Sequence, residues 1–344
     1  MILPFGLLIL SFVINLILFI PFINFLYRIK FQRREQTTRD FLGKLTPIFD
    51  KFHRSKVGIP VGGGILILLV VPILFILTMF LLYYLWIPIT SAYPIGEEIK
   101  ILLFAFLSFS FLGLYDDIKK TFPDVSTEFF GLRLRHKLIL ELMLSGIISI
   151  WLFKDLKIGI VNIPFLDVVN LSWLFVPFSA FVITAFANAY NITDGLDGLA
   201  AGLLLICLGV FWVISAGILD VPLSSFIAIW IGSLIAFLYF NIHPARIFLG
   251  DTGALSFGAT MAVIGLMLGK TMALVVIGGI FVAEAGSSLI QLLGKRFLNR
   301  KIFAVSPIHL WFQNRGWEES TVVMRFWLGG IILAVFGLFL AAIT

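Results

Sequence analysis

The residues best suited to chemistry lie in one polar stretch, residues 188–198, between two long apolar runs. Amides and carboxylates recur there at every third position, as Asn188, Asn191, Asp194 and Asp197. In helical or near-helical backbone this spacing places all four along one side. Two anions at the edge of hydrocarbon need cations, a metal or a polar ligand beside them. The stretch therefore predicts a polar binding site; a helix break with capping residues is the structural alternative.

Three further polar groups could share this site. The first is the acidic pair Asp116-Asp117, the second is Gly250-Asp251-Thr252-Gly253, and the third contains His309. Taken alone, each has a structural explanation: a solvated helix end, a turn with an N-cap, and a structural histidine. Several such groups on one membrane face, from segments far apart in sequence, indicate one composite site.

The donor atoms of these groups favour a hard cation. Carboxylate and carbonyl oxygens dominate, while the whole chain has one cysteine and four histidines, which favours Mg²⁺ or Mn²⁺ over Zn²⁺. Neighbouring Lys and Arg side chains would complement phosphate charge. If residues 250–253 open a helix, their free backbone amides would favour an anion. The pattern predicts phosphoryl transfer by positioning and charge stabilisation.

The composition indicates where this chemistry takes place. The chain has 344 residues, of which 60% are hydrophobic and 13% charged, and its mean hydropathy is +1.08. A soluble protein of this size needs a more charged surface, so we expect an all-α, polytopic integral membrane protein. The single cysteine, Cys207, excludes an intrachain disulfide. The net charge of +6 gives no reason to expect nucleic acid, because basic residues mark cytoplasmic loops.

Apolar runs of about 20 residues predict ten membrane spans in one domain, residues 1–344. The spans are about 3–26, 61–86, 98–115, 137–153, 171–190, 198–217, 223–240, 252–269, 272–293 and 321–343. The loops expected on the cytoplasmic side are about 27–60, 116–136, 191–197, 241–251 and 294–320. The ninth span is the weakest, because it holds Glu284 and several small residues.

The distribution of basic residues sets the expected orientation. With ten spans, all but four of the 25 Lys and Arg residues fall on one side. The exceptions are Lys100, Lys154, Lys157 and Lys270. By the positive-inside rule that side is cytoplasmic and both termini are extracytoplasmic. The four polar groups described above all lie at the cytoplasmic ends of the spans.

Taken together, the motifs resemble the polyprenyl-phosphate N-acetylhexosamine-1-phosphate transferase superfamily. The resemblance is carried by Asp116-Asp117 followed by lysine, by N-A-Y-N-I-T-D-G-L-D-G-L-A at residues 188–200, and by F-L-G-D-T-G at residues 248–253. Within it, the chain is most similar to the phospho-N-acetylmuramoyl-pentapeptide-transferase family. Three stretches favour that narrower assignment: residues 56–64, 131–137 and 300–327.

The resemblance implies roles for individual residues. Asp251 would be the principal Mg²⁺ ligand, and Asp116 and Asp117 would handle the lipid phosphate. Lys119 and Lys137 would hold phosphates, and His309 would be a catalytic residue. The remaining set would line the nucleotide pocket, with Phe248 able to stack on uracil: Lys56, Asn188, Asn191, Asp194, Asp197, Asn241, Phe248 and Gln291.

The implied reaction is Mg²⁺-dependent transfer of phospho-N-acetylmuramoyl-pentapeptide from its UDP donor to undecaprenyl phosphate. The products would be lipid I and UMP, formed at the cytoplasmic face of the bacterial inner membrane during peptidoglycan synthesis. Members of the resembled family often form homodimers, so the resemblance also implies a homodimer.

Two departures from the family pattern leave alternatives open. Leu310 and Trp311 stand where the family has histidines, and Val61 replaces a polar residue. An altered donor pocket keeps a polyprenyl-phosphate GlcNAc-1-phosphate or other HexNAc-1-phosphate transferase, using a UDP-sugar, as the alternative. An ion-coupled transporter is the alternative of a different class. A transporter would place its carboxylates near the midplane, often in repeated halves, whereas here they gather at span ends.

Overall fold

The computed structural model describes residues 2–33, 56–122, 132, 134–164 and 168–343. Within them the chain is mostly helical, as the apolar runs predict. The α-helices are α1 (Ile2–Arg28), α2 (Gly63–Tyr84), α3 (Ile95–Thr121), α4 (Leu134–Lys154), α5 (Phe175–Thr193), α6 (Leu199–Gly217), α7 (Val221–Asn241), α8 (Asp251–Met267), α9 (Thr271–Ile277), α10 (Gly279–Phe297), α11 (Ile308–Asn314) and α12 (Glu319–Ile343). Parts of the predicted loops 27–60 and 116–136, including Gly131 and Arg133, lie outside the described residues.

The helices make this a multi-pass membrane protein. Eight described helices are long and apolar enough to cross a membrane, or nine if the bent pair α9–α10 forms one span. Helix α8 corresponds to the predicted eighth span but has only 17 residues. The count of ten spans and the extracytoplasmic termini therefore stay predictions.

The predicted ninth span is broken at Gly278, where α9 and α10 meet at an angle of 78°. A Cβ at Gly278 would lie 2.6 Å from the ring of Phe186, so the break packs closely against α5. Only one stripe of α10 is buried. The small and polar residues that made the ninth span the least certain prediction lie at this break, as Gly278, or in the buried stripe of α10, as Glu284.

Close packing of α3 against α8 positions the acidic residues. Every residue of α8 after Asp251 is buried. A Cβ at Gly113 of α3 would collide with the carbonyl group of Asp251, so only glycine permits this approach. The contact brings the Asp116-Asp117 pair, one turn further along α3, next to the start of α8.

Two boundaries differ from the predicted ones in ways that matter for the site. Helix α3 runs to Thr121 rather than about 115, so the acidic pair and the following lysines lie in its last turns. Carboxylates four residues before a lysine stabilise such an extension. Helix α5 runs to Thr193, and Gly198, with a φ of +78°, starts α6.

A short antiparallel hairpin was not predicted. Strands β1 (Ile160–Asn162) and β2 (Val168–Asn170) pair between α4 and α5, with Ile160 opposite Asn170. Their β-branched residues favour strand conformation in a segment too short for a span.

Candidate active site

Three carboxylates and two lysines form an acidic–lysine cluster: Asp116, Asp117, Lys120, Lys137 and Asp251. The Lys120 ammonium lies 3.0 Å from Asp116 Oδ2 and 2.9 Å from Asp251 Oδ2. Lys137 of α4 pairs with the same two oxygens, at 3.2 Å from Asp116. Two ammonium groups thus bridge two carboxylates from different helices, and the pairs hold the ends of α3 and α4 against the start of α8.

Asp117 is directed at the start of α8. Its Oδ1 accepts from the Asp251 N–H at 2.9 Å, and its Oδ2 accepts from the N–H and the hydroxyl of Thr252. Gly250 permits this approach through its φ of +79°, and a Cβ there would lie 2.6 Å from Asp117 Oδ2. The free amides expected to attract an anion therefore hold a carboxylate of the chain itself.

Lys119, expected from the resemblance to hold phosphate, lies outside the acidic–lysine cluster. Its ammonium is 4.7 Å from the ring centroid of Tyr115, and its side chain is exposed. Lys120 is the neighbour that faces Asp116 and Asp251. Position 120 follows Asp116 by four residues and Asp117 by three, so helical spacing alone favours it.

Asn188 also faces α4. Its Nδ2 donates to Glu141 Oε2 at 2.5 Å and to the Thr184 carbonyl at 2.9 Å. Glu141 is fully buried, one turn after Lys137. Asn188 therefore borders the acidic–lysine cluster rather than the turn that follows α5, while Asn191 lies half-buried nearer that turn.

A second group of charges surrounds Lys56. The Lys56 ammonium lies 2.7 Å from Asp197 Oδ1 and 2.6 Å from Glu319 Oε1, and it donates to the Gly195 carbonyl at 3.3 Å. Glu319 also accepts from the Asp197 N–H at 2.7 Å. The second oxygen of Asp197 accepts from the Ala245 N–H. These bonds join the turn after α5 to the start of α12.

Phe248 lies beside this group, held by backbone pairing. Its N–H donates to the Pro60 carbonyl, and its own carbonyl accepts from Gly62 and Gly63. The charged groups of Arg33 and Lys56 each lie 5.8 Å from the centroid of its ring. We call Lys56, Asp194, Asp197 and Phe248 the nucleotide pocket from here on, after the role that the family resemblance implies for them.

The nucleotide pocket adjoins the acidic–lysine cluster. Phe248 precedes Asp251 by three residues, and the Gly64 N–H donates to the intervening Leu249 carbonyl. Burial and, to a smaller extent, the nearby Asp251 carboxylate raise the pKa of Asp194 to about 7, against the opposing charge of Lys56. This electrostatic coupling means that the two groups belong to one site.

The pKa of Asp197 moves the other way. Burial by itself would raise it, but the ion pair with Lys56 and the hydrogen bonds from Ala245 and His243 bring the pKa below its ordinary value. Asp197 is thus the ionised partner of Lys56, whereas Asp194 gains a proton near neutral pH. The two carboxylates of one turn therefore titrate in different pH ranges.

His309 lies under the same turn. Its Nδ1 is 2.9 Å from Glu284 Oε2, and its backbone N–H donates to Glu284 Oε1 at 3.0 Å. A Cβ at Gly195 would lie 2.6 Å from His309 Nε2, so the ring approaches the backbone between Asp194 and Asp197. The ring is therefore set by Glu284 on one edge and by the turn on the other.

The side-chain amides of Asn241 and Gln291 form hydrogen bonds with backbone groups. Asn241 accepts from the Gly198 N–H and donates to the Ile247 carbonyl. Gln291 accepts from the N–H groups of Ile302 and Phe303 and donates to the Phe303 carbonyl. Both residues support loops around the site.

The acidic–lysine cluster offers carboxylate oxygens, the donor type that a hard divalent cation prefers, and in this structure two of its three carboxylates pair with Lys120 and Lys137. Asp251 is the most accessible of its carboxylates, with 14% of the side chain exposed against 3% for Asp116. Asp197, His243 and Glu319 also have ligand atoms within 4.8 Å of one another. The Lys56 ammonium pairs with two of these three, just as Lys120 and Lys137 pair with Asp116 and Asp251, so ion pairing does not distinguish the two candidate cation sites.

Among the residues of the site that were not predicted are Lys120, Glu141, Glu284 and Glu319. A signal was available for three of them. Helical spacing selects Lys120, and carboxylates inside apolar spans mark Glu141 and Glu284. Glu319 meets Asp197 across 122 positions of sequence, a contact that only tertiary packing produces.

Comparison with known proteins shows what the chain is similar to. The model of glycosyl transferase family 4 matches residues 99–269. A phospho-N-acetylmuramoyl-pentapeptide-transferase of Acetivibrio thermocellus is 35% identical over 337 residues, covering 96% of this chain and 93% of the relative. Relatives of the same name from Halalkalibacterium halodurans and Pelagibacter ubique are 34% and 36% identical. They cover 97% and 83% of this chain, and 96% and 80% of their own lengths are matched.

Proposed function

The chain belongs to the phospho-N-acetylmuramoyl-pentapeptide-transferase family and is a membrane-embedded phosphosugar transferase of peptidoglycan precursor synthesis, and from this premise we propose its specific reaction. The enzyme transfers phospho-N-acetylmuramoyl-pentapeptide from its UDP donor to undecaprenyl phosphate, giving lipid I and UMP. Mg²⁺ is the cofactor, with Mn²⁺ as the alternative. The protein acts from the cytoplasmic face of the bacterial inner membrane, as a homodimer.

The observation that carries the proposal is the junction of the acidic–lysine cluster with the nucleotide pocket. Phe248, whose ring would stack on uracil, is three residues from Asp251. A nucleoside diphosphate bound on Phe248 would extend its phosphates towards Lys120 and Lys137, two cations that already converge on one point.

The chemistry needs one bond to form and one to break. An oxygen of the lipid phosphate attacks the β-phosphorus of the UDP-sugar, and the bond from that phosphorus to the bridging oxygen breaks as UMP leaves. Lys120 and Lys137 stabilise the charge that develops on the phosphoryl oxygens. Asp116 orients the acceptor phosphate through the same ammonium groups. When bound, a divalent ion held by Asp251 supplies further positive charge to the phosphates.

A second donor is supported by the residues that replace histidines. Leu310 is 1% exposed, so it packs into the protein and offers no polar group to a sugar. The Arg315 guanidinium lies 4.0 Å over the ring centroid of Trp311, a cation–π contact that occupies this side chain. A transferase with a UDP-GlcNAc or other UDP-HexNAc donor is therefore the second candidate.

The transporter alternative has less support. The chain belongs to an enzyme family. The carboxylates of the site also lie at helix ends, Asp116 in the last turns of α3 and Asp251 at the first residue of α8, rather than at mid-helix positions.

The experiment is a donor panel. Purified protein is incubated with undecaprenyl phosphate, Mg²⁺ and either radiolabelled UDP-N-acetylmuramoyl-pentapeptide or UDP-GlcNAc, and the release of UMP and labelled lipid is measured. We expect turnover with the muramoyl donor and its loss when EDTA removes the metal. Preferred turnover of UDP-GlcNAc would favour the second candidate, and no UMP release with any UDP-sugar would contradict both.

A further inference from the structure

Helix α10 faces the protein with a polar stripe. Its buried residues are Phe281, Glu284, Ser287, Gln291 and Gly294, spaced by three or four positions, while neighbours such as Leu289 and Ile290 are exposed. Glu284 bonds His309 and Gln291 bonds residues 302 and 303, so the stripe anchors the segment that leads into α11 at two points. A polar stripe on a helix in lipid is costly to keep unless its groups are paired.

Glu284 is the residue of this stripe whose burial is the least favourable, because it carries a carboxyl group. It is 0% exposed, and its two oxygens meet two groups of one residue, the backbone N–H and the ring Nδ1 of His309. The described residues give it no lysine or arginine within ion-pair distance. An ionised carboxylate in such a place is strongly destabilising unless its hydrogen bonds are well made. The two hydrogen bonds with His309 offset this cost of burying the Glu284 carboxylate.

The bonds determine where the ring proton lies. A backbone N–H can only donate, so Glu284 Oε1 is an acceptor. An ionised Glu284 accepts at Oε2 as well, and Nδ1 of His309 therefore carries the hydrogen. Nε2 of a neutral imidazole is then left as an acceptor, on the edge that approaches Gly195 between Asp194 and Asp197.

We infer that Glu284 is a positioning residue of the transferase, which fixes His309 as the Nδ1–H tautomer with Nε2 turned to the nucleotide pocket. This inference rests on the proposed function, because it assigns the pair to the donor side of that reaction. Glu284 touches no reacting atom. It acts through His309, and it also satisfies an N–H in the first turn of α11, where no side chain of the helix does so.

The discriminating substitution is Glu284→Gln. A glutamine oxygen can still accept from the His309 N–H, so the start of α11 keeps its partner. The glutamine NH₂ then donates to Nδ1 and moves the ring hydrogen to Nε2. We expect kcat/KM for the donor to fall at least about tenfold, because the ring nitrogen that faces the nucleotide pocket changes from an acceptor to a donor. Glu284→Asp, which keeps the charge on a shorter side chain, should retain more activity than Glu284→Gln.

The tautomer of His309 distinguishes a positioning role of Glu284 from a purely structural one, because a structural role would not change it. The chain has four histidines, so ¹⁵N-histidine NMR of the full-length protein in detergent is tractable, with His309→Gln identifying the signal. We expect a protonated Nδ1 and an unprotonated Nε2 in the wild type, and the reverse in Glu284→Gln. Ser287→Ala, which removes a stripe hydroxyl that bonds only the Glu284 carbonyl, should leave the His309 signal unchanged.

The two proposals fail separately. A wild-type His309 with its hydrogen on Nε2, or a signal that Glu284→Gln does not alter, would overturn the inference even if UMP is released normally. An absence of UMP release with every UDP-sugar would overturn the proposed function, whatever tautomer NMR reports. The wild-type spectrum alone decides the first case, so a Glu284→Gln protein that does not fold leaves the inference falsifiable.

Discussion

Asp117 Oδ2 accepts two hydrogen bonds from Thr252, one from the backbone N–H at 2.8 Å and one from the hydroxyl at 2.6 Å. The other oxygen of Asp117 accepts from the Asp251 N–H. A side chain of α3 thus caps α8 and fixes the first residue of that helix, which is the expected metal ligand. The acidic pair of α3 therefore divides its work: Asp116 faces the lysines and Asp117 holds Asp251.

Replacing Asp117 by Asn tests this division. Asn keeps the shape but turns an NH₂ group towards backbone N–H donors, so we expect about 1–3 kcal/mol lower unfolding free energy and a lower kcat. Thermal unfolding in detergent and UMP release measure the two effects. Thr252→Val is the matched control. It removes only the hydroxyl, so its losses of unfolding free energy and of kcat should both be smaller. Equal losses in the two variants would contradict the capping role.

Asp251→Asn tests the metal assignment. The change removes a charge that faces both ammonium groups and the ligand expected for Mg²⁺, so we expect turnover to fall at least about 100-fold. The fold should persist, because Lys120 and Lys137 keep Asp116 as a partner. Mg²⁺ titration of UMP release and thermal unfolding provide the readouts. The control is Glu97→Gln, which changes a half-exposed carboxylate in the first turn of α3, at the opposite end from Asp116. Unchanged turnover and Mg²⁺ response would refute the assignment.

The adjacent lysines of α3 provide a matched pair. Lys120 bridges Asp116 and Asp251, whereas Lys119 lies over the Tyr115 ring. We therefore expect Lys120→Met to lose at least about tenfold more kcat/KM than Lys119→Met, because only the former removes charge from the acidic–lysine cluster. Steady-state kinetics at saturating Mg²⁺ measure both. A larger loss in Lys119→Met would restore the phosphate-holding role that the family resemblance implies for Lys119.

These lysines illustrate what the sequence could predict and why it stops there. Apolar runs predict the helices because membrane spans need about 20 apolar residues, and the F-L-G-D-T-G motif predicts the start of α8. Helix phase separates Lys120 from Lys119 only if α3 extends past the apolar run, and that extension depends on charge pairs with α8. Glu319 and Glu284 meet their partners through contacts between distant segments, which no local pattern encodes.

The orientation of side chains within a predicted motif is also a tertiary property. Asn188 and Asp194 belong to one polar stretch, yet Asn188 bonds Glu141 of α4 while Asp194 lies near Lys56 and Arg33. The three-residue spacing predicts one shared side for helical backbone, but the helix ends at Thr193 and the chain then turns. The end of α5 therefore places Asn188 and Asp194 with different partners, although their spacing predicts a shared side.

Asp194 predicts a pH dependence of donor binding. Burial raises its pKa to about 7, so the folded protein binds a proton there between about pH 4 and 7 that the unfolded chain has lost. Stability from this group accordingly declines as the pH rises through that window. Ionised Asp194 also repels an anionic donor, and we expect KM for the UDP-sugar to increase between pH 6 and 8.

The control for this prediction is Asp194→Asn, in which the increase of KM between pH 6 and 8 should disappear. Initial rates at several donor concentrations, measured at each pH with saturating Mg²⁺, separate KM from kcat. A KM that is constant from pH 6 to 8 in the wild type, or one that varies equally in Asp194→Asn, would contradict the assignment to this carboxyl.

Gly195 offers the sharpest steric test of the site. Its φ is not in the left-handed region, so the backbone tolerates alanine, but a Cβ would lie 2.6 Å from His309 Nε2. Because Glu284 holds the other edge of the ring, His309 cannot retreat without breaking those bonds. We expect Gly195→Ala to lower kcat/KM at least about tenfold and to shift the His309 NMR signal. The matched control is Gly286→Ala in α10, where a Cβ meets nothing within 4 Å, and it should change neither kcat/KM nor the His309 signal. If the two variants behave equally, the close approach of His309 to this turn is not needed for turnover.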